Sequence, residues 1–127
     1  MYQEEKKFSA LAHIFALIPF WGILGNGIIW YSFKEKSKEV IFHAHQAIFF
    51  QITLLIFFGF ALLVELFCRL LKVVHLDLAM LLSRFNHLIF YIGVLIYALM
   101  CLFAAWTILS GSNYEYPIIG KKLRERD

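Results

Sequence analysis

Leu88 to Leu109 reads LIFYIGVLIYALMCLFAAWTIL and contains no Lys, Arg, Asp or Glu. As an α-helix this stretch covers about 33 Å, more than the roughly 30 Å hydrocarbon core of a bilayer, so it predicts a transmembrane span. Upstream, Ala47 to Val64 reads AIFFQITLLIFFGFALLV, bounded by His43, His45 and Gln46 before it and by Glu65 after. At about 27 Å it predicts a second span.

The rest of the chain supports that reading. Of 127 residues, 61% are hydrophobic and 18% aromatic, and the mean hydropathy is +0.72. A soluble domain of this size could not hide so much apolar surface from water. The net charge of +3 comes from cations that flank the apolar blocks, where they read as topology signals and not as a nucleic-acid footprint. Cys68 and Cys101 are the only cysteines, form no CxxC pair and sit in or beside apolar spans, which argues for core positions over a disulfide or a zinc site.

The first apolar block, Phe8 to Phe33, is long enough to cross a bilayer but carries Pro19, Gly22, Gly25, Asn26 and Gly27 in its middle. Two geometries fit: one kinked span, or two half-length helices turning near Trp21 to Gly27 and re-entering on the side they left. Cations arbitrate, because short cytoplasmic loops are enriched in Lys and Arg. Lys34, Lys36, Lys38, Lys121, Lys122, Arg124 and Arg126 share one side if both later blocks cross, against Arg69, Lys72 and Arg84 on the other. The 34–38 loop and the C-terminus are therefore expected in the cytoplasm. A hairpin adds Lys6 and Lys7 to the richer side, which favours it over the single span. No small-residue cleavage site follows Lys6 and Lys7, so the block is expected to persist in the mature chain.

The expected organisation is an all-α integral membrane helical bundle, residues 1–127 as one transmembrane domain. It comprises the broken block at 8–33, a second helix at 41–72, an interfacial elbow at 73–85, a third helix at 86–110 and a cytoplasmic tail at 111–127. The charged segment Arg69 to Arg84 is too short to cross, hence the elbow.

Few residues invite chemistry. His43 and His45 stand two apart on a helix and point about 200° from each other, so one metal cannot easily hold both. His13, about five residues into an apolar run, must find a partner or remain costly. If the first block folds back, the partners in reach are His43 and Gln46, which gives an expected polar cluster of His13, His43 and Gln46. Glu65 and Arg69 are spaced to pair along one helix face, and Gln51 and Thr53 read as hydrogen-bonding glue between helices. Gly93, Tyr97, Cys101 and Ala105 recur every four residues as a packing stripe, within the monomer or between protomers. Trp30, Tyr31, Trp106, Tyr114 and Tyr116 read as an aromatic belt at the cytoplasmic headgroups. No nucleophile and base, P-loop, dinucleotide fingerprint or paired intramembrane carboxylates occur, so the chain is not expected to be an enzyme and no cofactor or metal site is assigned.

Three stretches, LAHIFALIPFWGILGNGIIW at 11–30, HAHQAIFFQITLLI at 43–56 and SNYEYPIIGKKL at 112–123, carry a resemblance in their order and spacing. The chain resembles a bacterial family of small membrane proteins distantly related to the channel-like subunit of the chloroplast inner-envelope import translocon. It is similar also to magnetosome membrane proteins of the MamF type. By that resemblance His13, Pro19, Gly22, Gly25, His43, Gln46, Gln51, Tyr116 and Pro117 would be signature positions, without an implied catalytic or metal-binding role. It implies a multi-pass protein of the bacterial inner (cytoplasmic) membrane. The expected function is a non-catalytic component or assembly factor of a membrane complex, import-like by analogy, with lipid and membrane-protein partners or self-association and no nucleic acid. The alternative is a small channel or transporter, for which the broken first block is the evidence.

Overall fold

A computed structural model describes residues 3–18, 20–111, 114, 116, 119 and 123; Pro19 and Pro117 lie outside the described residues. Their regular elements are the helices α1 (Gln3–Phe15), α2 (Trp21–Phe33), α3 (Lys38–Leu71) and α4 (Leu76–Leu109). The all-α fold with two long apolar helices is thus the one expected. Two compact units divide the chain, Met1–Thr53 with Ala98–Asp127, and Leu54–Tyr97.

In the first unit, the broken block is a hairpin of two helices. Glu4 and Glu5 occupy the first turn of α1, where carboxylates favour the helix dipole. Ser9, Ala10, Ala12 and His13 form its buried face. The chain then turns through Leu17 N–H to Ile14 O and Ile18 N–H to Phe15 O, both 3.0 Å, and passes Phe20 at φ 63°, in the left-handed region. A proline at 19 disfavours helical geometry at Ile18, so the helix ends here. α2 packs on α1, with the Phe8 and Phe33 rings 4.8 Å apart near the open end.

The turn falls before Trp21, not within Trp21 to Gly27 as the glycine content suggests. The glycines are helical, and two of them serve packing. A Cβ on Gly22 would collide with the Phe15 carbonyl oxygen, and one on Gly25 would lie 2.9 Å from the Phe15 ring; Gly27 faces open space. Intrinsic glycine propensity is outweighed here by the close approach of two helices that glycine allows.

α3 and α4 have 34 residues each, or about 51 Å, and each contains an 18-residue window long and apolar enough to cross a membrane. Ser37 Oγ caps α3 by accepting Val40 N–H at 3.3 Å.

In the second unit, Leu54–Tyr97, α4 begins at Leu76, ten residues before the expected start of the third helix at 86. A turn closed by His75 N–H to Leu71 O at 2.8 Å leads directly into α4, whose first turn contains Asp77 and is capped by His75 Nδ1 accepting Leu78 N–H. The helix packs back on α3 through polar contacts. Ser83 Oγ donates to both Glu65 carboxylate oxygens at 3.0 and 3.2 Å, and Asn86 Nδ2 donates to Ala61 O at 3.0 Å. Glu65 also lies 3.7 Å from His87 Nε2. It therefore reaches across to α4 and does not form the along-helix pair with Arg69 that their spacing suggested. Farther along, the Phe57 ring fills the notch at Gly93, where a Cβ would come within 2.6 Å. Phe90 lies parallel to Phe57 at 6.0 Å and beside Phe58 at 5.2 Å.

Candidate functional site

α3 places His43, Gln46 and Phe50 on one face, since residues three and four apart on a helix are neighbours. α1 brings His13 to this face, and residues 114 and 116 return from beyond α4 to meet it. His13 Nε2 is 3.1 Å from His43 Nδ1, and His13 Nδ1 is 2.8 Å from the Tyr116 hydroxyl. A neutral imidazole has one donor and one acceptor, so both His13 nitrogens are used.

Gln46 holds the tail by its backbone. Its Oε1 accepts Tyr116 N–H at 2.8 Å and its Nε2 donates to Tyr114 O at 3.1 Å. One carboxamide thus engages a donor and an acceptor two residues apart, as a neighbouring β-strand would. The Tyr116 ring stacks on Phe50 at 4.0 Å and 23°, and its hydroxyl lies 3.8 Å from Cys101 Sγ on α4. His13, His43 and Gln46 have no exposed surface, and Tyr116 is 1% exposed. Burial, with a smaller contribution from Cys101, pushes the Tyr114 phenol up from its ordinary value.

A second set of contacts secures the hairpin turn. Gln51 Nε2 donates to Ile18 O, and the same amide lies against the face of Gly22. Gln51 thus ties α3 to the turn of the first block, whereas Thr53 bonds Phe49 O on its own helix at 3.1 Å and joins nothing to α3. Asn26, one turn beyond Gly22 on α2, is completely buried, and neither carboxamide atom has a partner; Gln51 Oε1 is likewise buried without one.

The expected cluster residues His13, His43 and Gln46 are therefore brought together, with Tyr116 at their centre. Reading Tyr116 with Tyr114 as headgroup aromatics missed this; the clue available was the position of Tyr116 in the SNYEYPIIGKKL stretch. Tyr31 and Trp106 do stand exposed, while Trp30 lies half-buried against His45 at 5.8 Å. His45 thus faces away from buried His43. Cys68 and Cys101 are buried free thiols. Tyr97, Cys101 and Ala105 of the α4 stripe are buried, and Gly93 receives the Phe57 ring from the same chain. Among the described residues no three His, Cys, Asp or Glu side chains group to hold a metal. Within the cluster His13 joins His43 to Tyr116, and Gln46 holds the Tyr114 and Tyr116 backbone.

Fold and site together define a small helical membrane protein whose polar residues work inward. The family model of the magnetosome magnetite crystal formation proteins, MamF and MmsF, matches residues 4–123, and the chain belongs to that family. This agrees with the MamF-type similarity of its three sequence stretches. No curated protein and no solved structure matches the chain.

Proposed function

We propose that this protein is a non-catalytic component of a membrane assembly, acting through packing with other membrane proteins or with further copies of itself. The observation that supports it is the engagement of His13, His43, Gln46 and Tyr116 with one another in a sealed cluster. Polar groups are expensive at membrane depth, and here they fasten the hairpin, α3 and the tail instead of facing a substrate. The family's description points to a bilayer that bounds forming magnetite crystals as the setting for such an assembly. An import-like role has only the translocon resemblance behind it.

The cation distribution supports a multi-pass arrangement in the bacterial inner membrane with the 34–38 loop and C-terminus cytoplasmic. A cysteine at Ser37 should resist an impermeant thiol reagent added outside intact cells; labelling there would reverse the orientation.

A small channel or transporter is the second reading, favoured by Asn26 and Gln51 Oε1, buried polar atoms without partners beside a break between helices. Gentle detergent extraction followed by reconstitution separates the two. A stable co-purifying partner, or a defined oligomer, with no ion or solute flux supports assembly. Flux through the purified chain alone overturns it in favour of transport.

A further inference from the structure

We propose that the hollow at the α2–α3 connection binds the phosphodiester headgroup of a monoanionic lipid. It has a volume of about 310 Å³ and is lined by Tyr31, Ser32, Lys34, Glu35 and Lys36. That volume lies at the small end of the range for ligand pockets, on the order of 300 to 1,000 Å³, and suits a headgroup better than a larger solute.

Three features select the ligand. The first is charge: two lysines and one glutamate leave a single positive charge, which balances one phosphodiester and not a doubly charged phosphate. Among the described residues neither lysine is in an ion pair with Glu35, so both ammonium groups remain to meet an anion. The second is hydrogen bonding, since the Tyr31 and Ser32 hydroxyls supply neutral donors and acceptors suited to phosphate oxygens and to a hydroxylated headgroup. The third is depth. The apolar run of α2 ends in Trp30 and Tyr31, and Tyr31 is 74% exposed, as an interfacial ring should be. Lys34 Nζ lies 5.8 Å from the Trp30 ring centroid, which keeps the ammonium at that level. A free phosphate offers the same anionic oxygens, but only a lipid also presents acyl chains to the exposed apolar side of α2, where Leu24 and Ile28 stand open.

The test uses the full chain in phosphatidylcholine nanodiscs with and without phosphatidylglycerol, reading retained lipid by native mass spectrometry. Phosphatidylglycerol should be retained in preference to phosphatidylcholine, and that preference should fall about fivefold for each of Lys34→Gln and Lys36→Gln. Lys72→Gln, in the turn before α4, should leave it unchanged. A preference that survives the Lys34 and Lys36 double substitution, or that falls equally in Lys72→Gln, overturns the proposal. So does binding of glycerol 1-phosphate to the detergent-solubilised chain as tight as that of the lipid, which would make free phosphate the ligand.

Discussion

In the unit of residues 1–53 and 98–127 the contacts that define the structure are buried hydrogen bonds between segments far apart in sequence, His13 to Tyr116 being separated by 103 residues. In Leu54–Tyr97 they are phenylalanine rings packed against a glycine, with one carboxylate accepting from a serine. The difference follows from what each must hold. The second unit joins two regular helices through a short turn, and ring packing suffices where backbone groups are already satisfied within helices. The first unit must hold two half-length helices and the non-helical residues 114 and 116, whose free backbone groups need partners that polar side chains provide. Gln46 and Gln51 meet that need by bonding backbone atoms of Tyr114, Tyr116 and Ile18.

The sharpest way to break this comparison is through the glycines. Gly22→Leu would drive a side chain into the Phe15 carbonyl and the Gln51 amide. A loss of about 3 kcal/mol or more is expected, from overpacking and from broken hydrogen bonds together. Gly27→Leu, which faces open space on the same helix, should change little. Thermal unfolding in detergent, followed by loss of helical signal and by aggregation, gives both values. Equal tolerance would mean that α1 and α2 do not pack as described.

Next in size is Gln46→Leu. It leaves the Tyr116 N–H and Tyr114 carbonyl without their partner, with an expected loss of roughly 2 to 3 kcal/mol. Because the tail is what Gln46 holds, limited proteolysis after Leu109 should accelerate before the helices unfold. A uniform loss without faster tail cleavage would remove the clamp from the explanation. His13→Leu should resemble it in weakening the hairpin while leaving insertion intact, since the block becomes more apolar.

In the second unit, Gly93→Leu must displace the Phe57 ring and should cost about 1 to 3 kcal/mol. Gly59→Leu, with nothing within 4 Å, and Leu95→Ile, off the stripe, should be nearly silent. The effect falls below that of Gly22→Leu because a ring can swing aside and a backbone carbonyl cannot.

These contrasts show which parts of the structure the sequence made legible. Uncharged length exposed α3 and α4, because a bilayer demands it. The need of His13 for a partner pointed to His43 and Gln46, because a lone imidazole in an apolar run has few solutions. What escaped were matters of direction that composition does not carry. Glycines that look like a break proved to be contact surfaces, as Gly22 and Gly25 meet Phe15. Tyr116 looked like an interfacial ring but turned inward, because Gln46 and Phe50 offered its backbone and its face better partners than headgroups. Ser83 and Asn86 carry no pattern that composition reveals, yet they fasten α4 to α3 through Glu65 and the Ala61 carbonyl.

The smallest effect expected concerns Glu65, and it decides between two readings of one carboxylate. Spacing along α3 suggests a pair with Arg69, whereas geometry gives Glu65 to Ser83 at 3.0 Å and to His87 at 3.7 Å on α4. A hydrogen bond to a charged acceptor contributes about 1.5 to 3 kcal/mol when sheltered, but an exposed ion pair contributes about 0 to 1. His87 is largely exposed, so the serine contact should dominate. Ser83→Ala is therefore expected to destabilise the protein by roughly 1 kcal/mol, and Arg69→Ala by less than about 0.5. The coupling is best measured as a double-mutant cycle, because Glu65→Gln alone also changes the charge near the membrane surface. A coupling of Glu65 with Arg69 larger than that with Ser83 would return the carboxylate to its own helix and leave the start of α4 without its main polar attachment.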